Sequence, residues 1–198
     1  MSNVFWGERL GYDFFARETA LVARELLGKW LVHHDKEGLT GGIIVETEAY
    51  LGMDDPACHA ARGCTPRNRV MFGPAGIIYI YFIYGVHYCL NVTTASPKQP
   101  EAVLIRALEP RVGLELMERR RKRGKVTELC SGPGKLVQAL GITKQLNGSS
   151  ALEGPIGFYA NSEGVERPIT VTTRVGISKA VDWPLRYYLT GNPYVSRS

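Results

Sequence analysis

The chain has 198 residues, 44% of them hydrophobic and 22% charged, with 24 Lys and Arg against 19 Asp and Glu for a formal charge of +5. That balance excludes a disordered chain, allows one sizeable core without forcing two domains, and favours an anionic partner only weakly. The longest apolar run, residues 77–84, is far below the roughly 20 residues of a membrane-spanning helix, and the N-terminal stretch MSNVFWGERLGYDFF lacks a secretory core, so neither membrane association nor export is expected.

In chain order, Thr19 reads as the N-cap of a helix running to Leu27, stopped by Gly28. Residues 29–34 (KWLVHH) read as a strand, 35–38 (DKEG) as a turn, and 40–50 as the returning strand of a hairpin. His33 and His34 face opposite ways and read as ordinary strand-end residues. Within the second strand, residues 43–50 (IIVETEAY) have a divided character. Strand periodicity puts Ile43, Val45, Thr47 and Ala49 on one face and Ile44, Glu46, Glu48 and Tyr50 on the other, spaced roughly 6–7 Å per two-residue step. Carboxylates fit strands poorly and are costly to half-bury, so two in a row beside a tyrosine mark either a solvated edge or a place for chemistry.

Residues 54–69 (DDPACHAARGCTPRNR) form a long polar connection. Asp55-Pro56 and Thr65-Pro66 each suggest an N-cap followed by proline at the first helical position, hence two short helical turns, the first carrying His59. A second hairpin follows at residues 77–93, dense in aromatics, with a turn at 84–87 (YGVH). An apolar tip has no core to bury in and acts as an exposed wedge. A two-residue Gly85-Val86 turn would set Leu90 opposite Tyr81; a three-residue loop, 85–87, would set Asn91 there, on the same face.

Residues 102–108 (AVLIRAL) make a nearly continuous apolar strand carrying Arg106, which must find a partner or reach a ligand. A helix is expected over 111–123, ending in the basic run RRRKR, and another from Ser131-Gly132-Pro133 to Leu140, stopped by Gly141. Residues 144–155 read as a mobile loop, and 156–159, 169–172 and 185–189 as strands. Between the last two, 174–179 (RVGISK) is a turn with basic residues Arg174 and Lys179. Cysteines at 58, 64, 89 and 130 contain no C-x-x-C pair, which argues against a structural zinc site or a disulfide framework and for a reducing, intracellular compartment; Cys89 reads as a buried thiol. Together these elements predict one α+β domain over residues 1–198, a curved, largely antiparallel sheet with peripheral helices and a protruding β-hairpin.

The blocks VETEAYLG, His59, TPRNR with Met71 and Phe72, IYGVHYCLN, LIRALEP, ELCSGP and RVGI, spread in order over most of the chain, resemble the alkyladenine (methylpurine) DNA glycosylases. The resemblance implies a base-excision repair enzyme that is monomeric and uses neither metal nor cofactor. It would bind duplex DNA containing damaged purines, flip an alkylated, etheno or deaminated purine from the stack, and hydrolyse its N-glycosidic bond to leave an abasic site. Such a protein would work in the cytoplasm or nucleoid of a bacterium, or in a nucleus. By the same resemblance Glu48 is the catalytic carboxylate that activates water, and Tyr50, His59 and Tyr81 enclose the flipped base. Asn91 disfavours guanine through its exocyclic amino group. Tyr84 fills the gap left in the duplex, with Val86 beside it at the tip, and Arg67, Arg69, Arg106 and Lys179 contact DNA. Val86 and His87 stand where bulkier or aromatic residues are expected, and the connection from His59 to Thr65 is one residue short of vertebrate-type members.

The residue chemistry agrees with that expectation. An aromatic wedge offsets part of the few kcal/mol that unstacking costs, and electron-rich rings attract a base made cationic by alkylation. One carboxylate can both activate water and face a developing oxocarbenium ion. Glu46 could serve as a general acid or pair with an arginine, the latter being the expectation. No lysine adjoins these residues in sequence, so a Schiff-base lyase step is not expected. A zinc base deaminase needs H-x-E and P-C-x-x-C, neither of which occurs. A non-catalytic nucleic-acid-binding module is the alternative; paired carboxylates in a phosphate-facing groove speak against it.

Overall fold

The structure, a computed structural model, describes residues 6–83, 87–95, 98–162, 164 and 167–196. Its organising element is β2 (Gly38–Tyr50). Along one side β2 pairs with β5 (Glu101–Val112) from Gly41↔Val112 to Tyr50↔Ala102. Its other side is shared. β1 (Trp30–Asp35) takes the first half, Trp30↔Ile43 to Asp35↔Gly38, and β8 (Arg186–Leu189) takes Glu46, Thr47 and Glu48. β4 (His87–Thr94) and β3 (Ile78–Ile83) continue outward from β5, β6 (Ile156–Tyr159) from β1, and β7 (Ile169–Thr172) from β8. Among the described residues the sheet has eight strands and every pairing is antiparallel. Beyond β6, residues 7–10 add backbone bonds from Gly7 N to Ala160 O and from Leu10 N to Phe158 O, each 2.8 Å.

Helices are few and short: α1 (Tyr12–Phe15), α2 (Thr19–Glu25), α3 (Leu114–Arg121), α4 (Val126–Leu129) and α5 (Pro133–Ala139). The result is the expected α+β architecture. Val22, Ala23 and Leu26 from the α2 region, with Leu136, Val137 and Leu140 from α5, bury one face of the sheet, formed by Val45, Ala49, Ile78, Ile80, Leu90, Val92, Val103 and Ile105. The alternate residues of the same strands, Tyr79, Tyr81, Cys89, Asn91, Leu104 and Arg106, line a cavity on the opposite face. Strand alternation thus divides one set of residues into a core and a site. Among the described residues no helix is long and apolar enough to cross a membrane.

The simple two-residue alternation predicted for 43–50 is interrupted at two adjacent places. Val45 is extra on β2 between the pairs Ile44↔Leu108 and Glu46↔Ala107, and Arg106 is extra on β5 before Thr47↔Ile105, where the earlier register resumes. Bulges of this kind bend a strand and re-aim its side chains locally. Ile44 therefore joins Val45, Ala49 and the main core instead of the carboxylate face, and Ile43 packs with Trp30 and Val32 in a separate cluster. Glu46, Glu48 and Tyr50 keep the common face predicted for them.

Other boundaries move for identifiable reasons. Glu18, not Thr19, caps α2, its carboxylate accepting from Ala20 N at 3.1 Å and Leu21 N at 2.9 Å; Thr19 Oγ1 is committed to Thr94 Oγ1 at 2.6 Å. β5 runs on to Val112, and Gly113 at φ +72° turns the chain into α3, so the helix begins at Leu114 rather than 111. The short helical turns of the polar connection are 3-10 turns at Gly52–Asp54, His59–Arg62 and Arg69–Phe72, offset from the two X-Pro pairs. The stretch predicted as a mobile loop is instead bonded to β3 and the residues before it: Gly148 N to Ile78 O, Ile78 N to Ser149 O and Ala151 N to Gly76 O, each 2.8 Å.

Gly41 and Gly42 show how closely β2 is squeezed. A Cβ at Gly41 would lie 2.7 Å from Leu31 O, and one at Gly42 would lie 2.2 Å from Glu109 O. Both obstacles are backbone and cannot rotate aside. Gly42→Ala is expected to lower unfolding stability in urea by about 1–3 kcal/mol, the usual cost of forced overpacking; a midpoint equal to that of the parent chain would refute the squeeze.

Candidate active site

The cavity has a volume of about 1100 Å³. That exceeds the roughly 300–1,000 Å³ of a drug-sized ligand pocket, so it can take a nucleobase together with part of its sugar-phosphate chain. Its floor is the sheet face just described. One wall is the connection after β2, including Met53, Cys58, His59 and Asn68; the other is residues 175–179. The start of α5, Gly132 to Lys135, adds a third side. Arg62, Arg67, Arg121, Lys135 and Lys179 also contribute to the lining, giving it a cationic margin.

The expected base-pocket residues come together. His59 stands edge-on to Tyr81, ring centroids 4.3 Å apart at 82°, and its Nδ1 lies 3.0 Å from the Tyr79 hydroxyl. Tyr79 and Tyr81 pack with centroids 5.6 Å apart. Asn68 holds this loop in shape, donating from Nδ2 to the carbonyls of His59 (2.8 Å) and Gly63 (3.0 Å). Burial, helped by the Arg67 charge, lowers the His59 pKa, so its imidazole is neutral at pH 7. Burial raises Tyr79 to about 12 and pushes Tyr81 up as well. A neutral histidine among protonated phenols presents no positive charge to the cavity.

The hairpin register matches neither predicted loop. Ile83 pairs with His87, leaving residues 84–86 between them, and Cys89 rather than Leu90 or Asn91 stands opposite Tyr81. Asn91 lies opposite Tyr79 and still faces the cavity with Tyr81, because the register has shifted by two residues and parity is kept. Its Nδ2 donates to Tyr79 O at 3.1 Å. Tyr84 and Val86 lie outside the described residues.

The two carboxylates of β2 have different surroundings, although both are fully buried. Glu46 is fully engaged. Its Oε1 accepts from Arg106 Nε at 2.9 Å, Arg186 Nε at 2.8 Å and Ser196 Oγ at 2.9 Å, and its Oε2 from Ser196 N at 2.7 Å. The expected arginine partnership is present, and it leaves Glu46 no general-acid geometry. Glu48 Oε1 receives Val175 N at 2.7 Å and lies 3.1 Å from Arg106 Nη1; Oε2 accepts from the Tyr50 hydroxyl at 2.8 Å. Among the described residues those are three donors for roughly four lone-pair positions, so one acceptor position is left by them. Glu48 does not itself line the cavity, but Tyr50, Arg106 and Val175, its three partners, all do. Desolvation raises the Glu48 pKa above the ordinary glutamate value, against the opposing pull of Arg106, Val175 N and Tyr50. Tyr50 is raised too, by burial and then by the Glu48 charge.

Arg106 therefore both finds partners and reaches the cavity. Arg67 lies on the margin, donating to Phe82 O at 2.5 Å, and Lys179 is exposed there. Arg69 is exposed on its 3-10 turn and is not part of the lining. Cys89 is buried as expected yet touches the cavity, as does Cys58, whose thiol burial pushes up to about 11. Among the described residues no group of three or more His, Cys, Asp and Glu is arranged to hold a metal ion.

Sequence reasoning missed the pairing of Asp55 with Arg174, the approach of Arg186 and Ser196 to Glu46, and the use of Val175. Arg186 carries the signal that marked Arg106, a lone arginine inside a short apolar strand. Nothing in the sequence marks a backbone N–H such as that of Val175.

The family model described as Methylpurine-DNA glycosylase (MPG) matches residues 13–193. Among curated relatives, a protein of Methanoculleus marisnigri is 56% identical, across 93% of this chain and 96% of the relative. One from Prosthecochloris aestuarii is 50% identical, across 94% and 90%, and one from Carboxydothermus hydrogenoformans 50%, across 93% and 97%. Each is named as a candidate 3-methyladenine DNA glycosylase.

The contrast between the carboxylates sets an order of stability. Glu46→Gln removes the anion shared by two buried arginines and is expected to cost about 3–5 kcal/mol. Glu48→Gln removes a charge that burial already opposes, and should cost clearly less in the same urea titration. Equal losses would refute the division.

Proposed function

The chain belongs to the methylpurine-DNA glycosylase family, and from that premise we propose that it excises alkylated purines from duplex DNA by hydrolysing the N-glycosidic bond. One observation carries the reading. A buried carboxylate with a raised pKa and, among the described residues, one unfilled acceptor position stands directly behind the wall of a cavity lined by aromatics and bordered by cations. A glutamate of raised pKa is a stronger base than a free one, as abstraction of a proton from water requires.

In this reading the cationic margin, with Arg67 and Lys179, holds the phosphates. Tyr50, Tyr81 and His59 enclose the extruded base, and their rings favour a purine made cationic by alkylation. Etheno and deaminated purines are neutral and would rely on shape and stacking alone. Asn91 supports discrimination against guanine, since its amide cannot flip without losing the bond to Tyr79 O. Tyr84, with Val86, takes the place of the base in the duplex; Arg69 contacts DNA outside the cavity.

The chemistry balances simply. As the bond from the sugar carbon to the base nitrogen breaks, its electron pair neutralises the cationic base, which leaves without needing a proton. Water forms the new bond to the anomeric carbon and passes a proton to Glu48. The Glu48 carboxylate also faces the positive charge that develops on the sugar. No amine is consumed, so the enzyme is monofunctional.

Two expected outcomes test this. Glu48→Gln should bind dimethyl-sulfate-treated duplex DNA like the parent protein while base release, scored as alkali-cleavable abasic sites, falls on the order of 10²–10⁴-fold. Wild-type-like release would remove Glu48 from its role. The rate should also fall on the acid side with a midpoint above the ordinary glutamate value of about 4.3, because the carboxyl must lose its proton to act and burial delays that loss to higher pH. A midpoint at or below about 4.3 would contradict the assignment.

A further inference from the structure

The geometry points to Arg174 as a positioning residue for excision, acting with Asp55 as a strap that holds both walls of the base pocket against Glu48. This rests on the role proposed for Glu48 and extends it to two residues that line no part of the cavity.

Both side chains of the pair are fully buried. Arg174 Nη2 donates to Asp55 Oδ1 at 2.8 Å, Nη1 donates to Asp55 Oδ2, and Nη1 also reaches Ala49 O at 3.1 Å. Asp55 in turn accepts from Leu51 N at 3.2 Å and Ala57 N at 3.0 Å. Asp55 therefore organises the connection that leads to His59, and the ion pair ties that connection to the segment holding Val175. A buried bidentate pair is worth its desolvation only when its geometry is well satisfied, and it then fixes the relative placement of what it joins.

Three parts of the site depend on this strap. Val175, the next residue, gives its N–H to Glu48 Oε1 at 2.7 Å. The Arg174 guanidinium carbon stands 4.7 Å from the centroid of the Tyr50 ring. Tyr50 lines the cavity and Arg174 does not, so the guanidinium backs the ring that a flipped base would meet. Ala49 O, the third acceptor, lies between Glu48 and Tyr50 in β2. A shift of the strap would thus move a donor on the catalytic carboxylate and a wall of the base pocket together.

A purely structural pair and a positioning pair differ in their effect on titration. The groups around Glu48 are Arg106 from β5, Glu46 and Tyr50 from β2, Tyr81 from β3, Cys89 from β4, the Val175 N–H, and Arg174 itself; Arg186 of β8 is its partner across the strands. With Arg174 displaced, Glu48 loses one hydrogen-bond donor and one nearby cation. Both hold the ionised form, so their loss raises the pKa and shifts the acid limb of the rate profile upward.

The test uses the full chain and dimethyl-sulfate-treated duplex DNA, with single-turnover base release followed across pH. Arg174→Lys keeps the charge but not the bidentate fit. The double variant Asp55→Asn/Arg174→Gln keeps volume and polarity with no unpaired buried charge, so it remains a test if Arg174→Lys fails to fold. For the double variant the acid limb is expected to move up by about one unit, and the maximal rate to fall by about ten- to a hundredfold, with DNA affinity within about twofold of the parent. Arg174→Lys should show the rate loss with a smaller shift. A double variant whose pH profile superimposes on that of the parent, whatever its thermal midpoint, would overturn the inference. Glu48→Gln serves as the control: if it excises normally, the proposed function falls and this inference with it. If Glu48→Gln is dead while the strap variants match the parent, only the inference falls.

Discussion

Arg106 lies between two carboxylates, and much of the site follows from how it is shared. It offers Nε to Glu46 at 2.9 Å and Nη1 to Glu48 at 3.1 Å. Burial would pull its own pKa down, but the two carboxylates more than offset this and raise it. Two anions and one cation in a dry sheet would be a poor arrangement; Arg186, 2.8 Å from Glu46, supplies the missing charge. Arg186 bonds to Glu46, so Glu46 holds two arginines at hydrogen-bond distance and Glu48 is in contact with one, Arg106. The chemical difference between two identical residues, two positions apart on one strand, comes from which of them the second cation reaches.

That asymmetry needs both carboxylates on the same face, which plain strand alternation supplies for positions two apart. The paired irregularities, Val45 on β2 and Arg106 on β5, lie beside them, and Ile44 and Val45, neighbours in sequence, both belong to the main core. The sheet is thus irregular where Arg106 reaches the two carboxylates, and such bulges recur beside functional sites.

How much of this the sequence reveals depends on the range of the interaction. Strand periodicity placed Glu46, Glu48 and Tyr50 together. Whether Tyr81 and Asn91 share a face turned on the hairpin loop, and the three-residue alternative had the face right although the three residues are 84–86 rather than 85–87, because a shift of two residues preserves the face. Glycine and proline marked the end of α2 and the start of α5 to within a few residues. What failed was non-local. The bulge at Val45 arises from pairing with β5, sixty residues away, and the ordered segment after α5 is held by β3. The Asp55 and Arg174 pair spans 119 residues. Local pattern carries no information on such pairings, and a lone charge in an apolar stretch signals only that a partner exists somewhere.

The two contacts from Ser196 to Glu46 bear on the order of assembly. As the polypeptide is made, Glu46 emerges before Arg106, and Arg186 and Ser196 follow later still. Until those later residues arrive, the second half of β2 has β5 on one side but lacks β8 on the other, and a carboxylate destined for the interior lacks its full set of donors. Closing such distant contacts is slow, and an uncompensated interior charge resists being dried. The face of β2 that carries Glu46 and Glu48 thus cannot set fully until Ser196 has been made.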